Sequence, residues 1–425
     1  MRKVVVVLAS PDADLAAPGR AARWPYLVVA VSALAAAGYL AVWGSRYGLD
    51  LKVYRNSVAL WGSGHDPYLA TLGRSRLAFT YPPFALLALR PLTWASFPVT
   101  QWLLWAASIA SATVSVVLIL RDRGFDVSLR LWCGAFSWTC LSVIILEPAR
   151  SGVDYGQVEL VLMLLVVADL LAVPSRYRGI ATGVAAAVKL TPLVFLIVFL
   201  ACRDLRSAAR TLASFVACTA LAWLLWPGLP RVYWDQVIRQ PARVGRVSYP
   251  GNQSWYAVLH RPPFPATGSA AAWLLLSLAT LAVSGVVALR CARDGRRAAA
   301  MISVALAGVL ISPISWTHHW VWVLLIPPLL AGRRGSEVPA AARAGLWGVL
   351  ALTVTEPYWW FGRGIPADVV DALLPLCAAA TLAGWAVIEL IRWRRPLHAA
   401  TDQRYESARG GGDRSSRGIG WTSPG

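Results

Sequence analysis

Val188-Lys189-Leu190-Thr191-Pro192 interrupts an apolar stretch that runs from 179 to 201. Proline withholds the N–H that a helix interior needs, and a lysine ammonium is costly in hydrocarbon. Irregular backbone at that depth is tolerated only where protein or a wet cavity surrounds it. The stretch therefore reads as a hairpin of two short half-spans, broken at Lys189, rather than one continuous crossing.

The surrounding charges agree with that reading. Further apolar blocks lie at 25–43, 98–120, 129–147, 157–173, 208–227, 269–290, 298–312, 315–331, 343–361 and 370–391, many of them close to the ~20 residues that cross a bilayer. Basic loops face the cytoplasm. With Arg2, Lys3, Arg20 and Arg23 inside, the next inside loops carry Arg121, Arg123 and Arg130, then Arg176 and Arg178. A single crossing at 179–201 would put Arg203 and Arg206 outside and invert every later basic loop. A hairpin restores the alternation. The expected architecture is an all-α polytopic membrane protein of about twelve membrane segments. It comprises a cytoplasmic tail over 1–24, one transmembrane domain over 25–392, and a disordered cytoplasmic tail over 393–425. The polar loops 44–97, 147–157, 227–268 and 312–319 then share the outer face, so any chemistry is expected there.

Composition excludes most other classes. The chain has 425 residues, 57% hydrophobic and 14% charged, against roughly 25% charged in a soluble domain. The formal net charge of +19 sits mostly in short loops, with no RNA-binding signature, so no nucleic-acid partner is expected. Twenty-two tryptophans suit two membrane–water belts. The six cysteines show no metal-like spacing, and no structural disulfide is expected. No internal repeat is evident, which argues mildly against an inverted-repeat transporter.

Several polar motifs punctuate the outer loops. Asp50 opens a stretch in which Leu51, Tyr54, Val58 and Trp61 recur at helical spacing, predicting a helix lying on the membrane. Asp50 reads there as an N-cap, a role compatible with a chemical one. Phe79-Thr80-Tyr81-Pro82-Pro83-Phe84 is a turn or a rigid wall over a cavity. Asp154, Gln157 and Glu159 gather at a helix mouth, while Asn252-Gln253-Ser254-Trp255 sets amides beside an aromatic ring. The segment 227–268 also suggests a second surface helix over 231–238. Ser312-Pro313-Ile314-Ser315-Trp316-Thr317-His318-His319-Trp320 holds two of only five histidines. Adjacent histidines point about 100° apart on a helix, which disfavours a shared metal. A base or phosphate partner is the chemical alternative to a plain interfacial pair.

In order along the chain, these stretches, with Glu147-Pro148-Ala149-Arg150 and the lysine break, resemble the polyprenyl-phosphate-mannose-dependent alpha-(1→2)-mannosyltransferases of mycobacteria and relatives. These belong to the GT-C class of membrane glycosyltransferases. The likeness covers about 50 to 330, with one departure: Glu159-Leu160 follows the Gly-Gln pair where relatives carry an asparagine. The resemblance implies an inverting transfer of mannose from polyprenyl-phosphate-mannose to a glycolipid hydroxyl, at the outer face of the plasma membrane. It also implies acid–base roles for Asp50, His318 and His319, and leaves open which of them deprotonates the acceptor. Lys189, Arg150, Arg243 or Arg246 would meet the donor phosphate, although the arginines are equally suited to the headgroups of membrane lipids. Tyr81, Asp154, Gln157, Asn252, Gln253 and Trp255 are the candidates for holding sugar or acceptor. A lipid phosphate leaving group calls for no metal site and no cofactor. The alternatives are a related transferase using another polyprenyl-phosphate sugar, such as arabinofuranose, and a lipid or sugar transporter.

Overall fold

A computed structural model describes residues 20–44, 48–72, 77–263, 269–332, 338–361 and 365–394. The expectations for the tail before 20, for Arg333 and Arg334, and for the tail after 394 fall outside the described residues. The described chain is all-helical apart from one pair of two-residue strands, β1 (Thr71–Leu72) and β2 (Leu77–Ala78).

Five helices contain an apolar run long enough to cross a membrane: α1 (Arg20–Val42), α4 (Phe97–Asp122), α10 (Leu205–Leu225), α13 (Ser269–Arg293) and α18 (Leu373–Arg394). A sixth is added if α5 (Leu129–Ile145) and α6 (Glu147–Tyr155), bent by 80°, count as one span. Large apolar side chains stand exposed along these helices, among them Trp24, Leu34, Val216, Leu224, Leu275 and Val387. A surface of that kind is solvated by lipid rather than water. The chain is an all-helical membrane protein.

The other apolar blocks form shorter elements. Those used below are α7 (Glu159–Leu171), α8 (Ile180–Val188), α9 (Leu196–Ala201), α14 (Arg297–Ile311), α15 (Ile326–Leu330) and α16 (Ala340–Thr355). α14 is buried from Ala298 to Leu310 on every side. A helix apolar all round belongs in the middle of its bundle, and α14 touches α4, α7, α9, α13, α15 and α18. The block 315–331 is not one α-helix. It is a 3-10 helix over Thr317–Leu325, kinked at Trp320 and followed by α15, whose Pro327 and Pro328 need no helical partners in a first turn.

The stretch 179–201 is broken where its lysine and proline predict. α8 ends at Val188, Lys189 is extended (φ −146°, ψ 128°), and a 3-10 turn over Thr191–Phe195 leads into α9. α8 packs directly on α10, so closely that a Cβ on Gly183 would run into the Thr211 carbonyl oxygen. Asp169, fully buried on α7, accepts from the Gly179 and Thr182 amides and anchors the start of α8.

Two helices flank the bundle end that carries the site: α2 (Leu49–Gly62) and α11 (Gly228–Asp235), the latter continued by a 3-10 turn over Val237–Arg239. The cap of α2 is Gly48 (φ +48°), whose N–H donates to the Asp154 carbonyl; Asp50 sits within the first turn and makes no capping bond. Its carboxylate is used elsewhere.

Over-packing the α8–α10 contact is expected to cost on the order of 1–3 kcal/mol. Gly183→Val should lower the unfolding midpoint in detergent. Gly38→Val on α1, where nothing lies within 4 Å of a new Cβ, should leave it unchanged.

Candidate active site

Leu51 on α2 meets the turn between α6 and α7 at Gly156, where φ is +74° and a Cβ would lie 2.7 Å from that of Leu51. Only glycine combines that backbone with so close an approach. The contact brings Gln157 to Asp50: Gln157 Nε2 donates to Asp50 Oδ2 at 2.6 Å and lies 3.2 Å from His318 Nε2. The Gln157 carbonyl oxygen lies 2.8 Å from the Tyr54 hydroxyl and 3.1 Å from that of Tyr81, and the two hydroxyls, 2.8 Å apart, share two protons among these three contacts.

Lys189 lies alongside. Its ammonium donates to Glu159, which begins α7, and stands 3.2 Å from His319 Nε2 and 3.3 Å from the Tyr81 hydroxyl. The ring of Tyr81 faces it at 5.1 Å. A charge at 8% residue exposure needs such a counter-ion. Its position follows from the break, because Lys189 projects from the end of α8 rather than from the side of a continuing helix.

Asp50, Tyr54, Tyr81, Gln157, Lys189, His318 and His319 line a cavity of ≈ 660 Å³. Tyr233, Val237, Val244, Tyr249 and Trp316 add apolar and aromatic surface to the same cavity. The Arg246 side chain is exposed on the cavity wall and has no ion-pair or hydrogen-bond partner among the described residues. It is the one arginine among the described lining residues. Asp50 Oδ1 likewise has no hydrogen-bond partner among the described residues. Burial pushes the Asp50 carboxyl up to about 7; the Gln157 hydrogen bond and Lys189 oppose that, and Glu159 adds to it.

The two adjacent histidines converge, contrary to the expectation from helix periodicity. Their rings lie 4.8 Å apart, and with Glu159 they set three potential ligand atoms within 4.8 Å of one another. Side-chain rotamers, not backbone directions alone, decide where imidazole nitrogens fall. The Lys189 ammonium stands against the same Glu159 oxygen and beside His319, so a fixed cation already occupies that donor set.

Other sequence candidates lie elsewhere. Arg150 pairs with Glu356 at 2.5 Å, and Asp154 accepts from Tyr39 at 2.7 Å; neither lines the cavity. Arg243 donates to the Tyr68 carbonyl. Asn252, Gln253 and Trp255 are buried behind the wall. Asn252 receives the Ser315 amide at 2.8 Å and donates to Val247 and Pro313, Gln253 donates to the Pro250 carbonyl, and Trp255 donates to Thr280. Asn252 thus joins the loop around 250 to the loop over 312–317, Gln253 bonds within its own loop, and Trp255 ties its helix to α13.

Sequence reading missed Tyr54 and Arg261. Tyr54 lies four residues beyond Asp50, on the same helix face, which was the available signal. Arg261, 1% exposed, donates to the carbonyls of Ser248, Tyr249, Pro250, Asn252 and Asp371 and so fixes the loop that carries Tyr249. An arginine followed by two prolines gave no hint of that.

Comparison with known proteins joins this geometry to a lineage. The sequence pattern described as Glycosyltransferase family 87 matches residues 79–313, which include Tyr81, Gln157, Glu159, Lys189 and Arg246. The chain belongs to that family. It is 34% identical over 342 residues to the Mycolicibacterium smegmatis polyprenol-phosphate-mannose-dependent alpha-(1-2)-phosphatidylinositol mannoside mannosyltransferase, covering 73% of this chain and 76% of that one. A Mycobacterium tuberculosis relative, named for phosphatidylinositol pentamannoside, is 32% identical over 80% of this chain and 79% of its own. No solved structure matches the chain. This family 87 glycosyltransferase therefore carries its polar cluster across the matched segment and just beyond each end, with Asp50 before it and His318 and His319 after it.

The Lys189–Glu159 pair yields a stability prediction. Lys189→Met or Glu159→Leu alone should destabilise the detergent-purified protein by roughly 3–5 kcal/mol, because each leaves an uncompensated buried charge. The double variant should regain most of the loss in a thermal unfolding scan.

Proposed function

We propose that this enzyme transfers mannose from polyprenyl-phosphate-mannose to a hydroxyl of a phosphatidylinositol mannoside or lipomannan-type glycolipid. The transfer inverts the donor carbon and makes an alpha-(1→2) linkage at the outer face of the plasma membrane. The observation that carries the reading is a carboxylate, Asp50, on the cavity that also holds the cation Arg246; among the described residues Asp50 Oδ1 and the Arg246 side chain have no partner. The names of the 32–34% identical relatives supply the donor and acceptor classes.

The chemistry follows from those two groups. Asp50 Oδ1 takes the acceptor hydroxyl proton as the oxygen attacks the anomeric carbon. The bond from that carbon to the phosphate oxygen breaks, and the lipid phosphate leaves with the electron pair. Arg246 meets the charge growing on the phosphate. Lys189 has its charge balanced by Glu159 and contributes a fixed positive end to the same wall. His318 and His319 stand with their Nε2 atoms facing Gln157 and Lys189, so Asp50 is the better placed base. The apolar lining residues of the cavity suit an isoprenoid chain. Arg150, Asp154, Asn252, Gln253 and Trp255 act as scaffold, and Arg243 holds the segment leading to Arg246.

The membrane arrangement belongs to the same proposal. About twelve segments, with a hairpin at 179–201 and both termini in the cytoplasm, keep the basic loops inside and the cavity outside. α2 and α11 lie along the outer interface.

The test is mannose transfer by purified protein from polyprenyl-phosphate-mannose to a phosphatidylinositol mannoside. Asp50→Asn should lower kcat by ~10²–10⁴-fold, the usual weight of a general base. Arg246→Ala should raise the donor KM by about one to two powers of ten, as loss of a charged hydrogen bond does. Asp50 must be ionised to act, so kcat/KM should fall as pH drops through about 7. Transfer from polyprenyl-phosphate-arabinose instead of the mannose donor would overturn the choice of sugar.

A further inference from the structure

The Gln157 side-chain amide has two N–H donors and an oxygen with two lone pairs. Both donors are committed: one N–H meets Asp50 Oδ2 at 2.6 Å and the other lies 3.2 Å from His318 Nε2. The oxygen faces the hydroxyls of Tyr54 at 2.8 Å and Tyr81 at 3.1 Å, whose two protons serve these contacts and the one between them. A flipped amide would set its oxygen against the carboxylate, so charge alone decides its orientation. Gln157 is 7% exposed and borders the cavity, yet neither of its N–H donors remains for a sugar oxygen.

Resting on the reading of Asp50 as base, we infer that Gln157 is the positioning residue of the acid–base centre: it occupies Asp50 Oδ2, turns Oδ1 to the acceptor, and holds His318 as the neutral Nδ1–H tautomer. Tyr54 and Tyr81 fix the amide, and their hydroxyls bond each other at 2.8 Å. His318 Nε2 accepts from Gln157, which leaves its ring proton on Nδ1 and its basic lone pair spent. An amide also does not relay protons as a hydroxyl or carboxyl does. The proton that Asp50 collects therefore leaves through the cavity and not through Gln157 towards Lys189 and Glu159.

The groups facing Asp50 are Tyr54 on its own helix, Tyr81 from the Pro-Pro turn, and Tyr155 and Gln157 around the end of α6. Glu159 and Lys189 face it from the ion pair, and His318 lies across Gln157. Of these, Gln157 alone donates a hydrogen bond to its carboxylate among the described residues.

The experiment is an infrared pH titration of the protonated-carboxyl band that disappears in Asp50→Asn, applied to wild type, Gln157→Ala and Gln157→Glu. Removing a donor to the ionised form raises the pKa, and an added carboxylate raises it further. The midpoint should therefore rise by about one pH unit or more in Gln157→Ala, and by more in Gln157→Glu. In the transfer assay, Gln157→Ala should lose ~10²-fold in kcat with the acceptor KM unchanged, and its acid limb should follow the infrared midpoint upward. An unmoved midpoint together with a tenfold rise in acceptor KM would make Gln157 a sugar contact and overturn the inference. If Gln157→Ala does not fold, the isosteric Glu variant carries the test. The infrared arm needs no turnover, so a wild type that transfers no mannose would count against the proposed function and leave this inference to be decided separately.

Discussion

The buried ammonium of Lys189 is the constraint on which the rest of the site depends. A lysine at the broken end of a helix, in apolar surroundings, has to be met by an opposite charge and by polar groups that replace water. Glu159, His319 and Tyr81 meet it, and each comes from a different part of the chain. Satisfying that one charge gathers α7, the Pro-Pro turn and the 3-10 helix that begins at Thr317 around α8. Tyr81 adjoins Tyr54 and Gln157, Gln157 bonds Asp50, and the Asp50 carboxylate is held by the same network that neutralises the lysine.

The polar groups around the cavity differ in whether they are already paired. Lys189, Arg150 and Arg243 all have partners, whereas Arg246 is uncommitted on the cavity wall among the described residues. The uncharged and acidic groups divide in the same way. Asn252 spends its amide on holding two loops together, while Asp50 keeps one carboxylate oxygen without a hydrogen-bond partner among the described residues.

Much of this was legible in the sequence, and the remainder was not for a physical reason. The break at Lys189, the helix after Asp50 and the rigid Pro-Pro turn are local consequences of residue type, and the structure has all three. Hydrogen-bond ownership is not local. Arg150 is claimed by Glu356, 206 positions away, and Asp154 by Tyr39, 115 positions earlier. Asn252-Gln253-Ser254-Trp255 has the form of a sugar contact because its amides and indole are the right groups for one. Its partners at Ser315, Pro313 and Thr280 become visible only when the chain is folded. The capping role expected of Asp50 fails in the same way: Gly48 caps the helix, and the carboxylate turns to a residue 107 positions on.

The spacing of the lysine cluster also bears on how the chain enters the membrane. Glu159 precedes Lys189 by 30 residues, so its carboxylate has been synthesised before the ammonium arrives. A lysine at the centre of an inserting helix costs about 2.5–3.5 kcal/mol, and an already present partner offsets part of that. His319 follows 130 residues later. The ion pair is thus available to the nascent chain during insertion, whereas the cavity closes only when the segment carrying the histidines has been made.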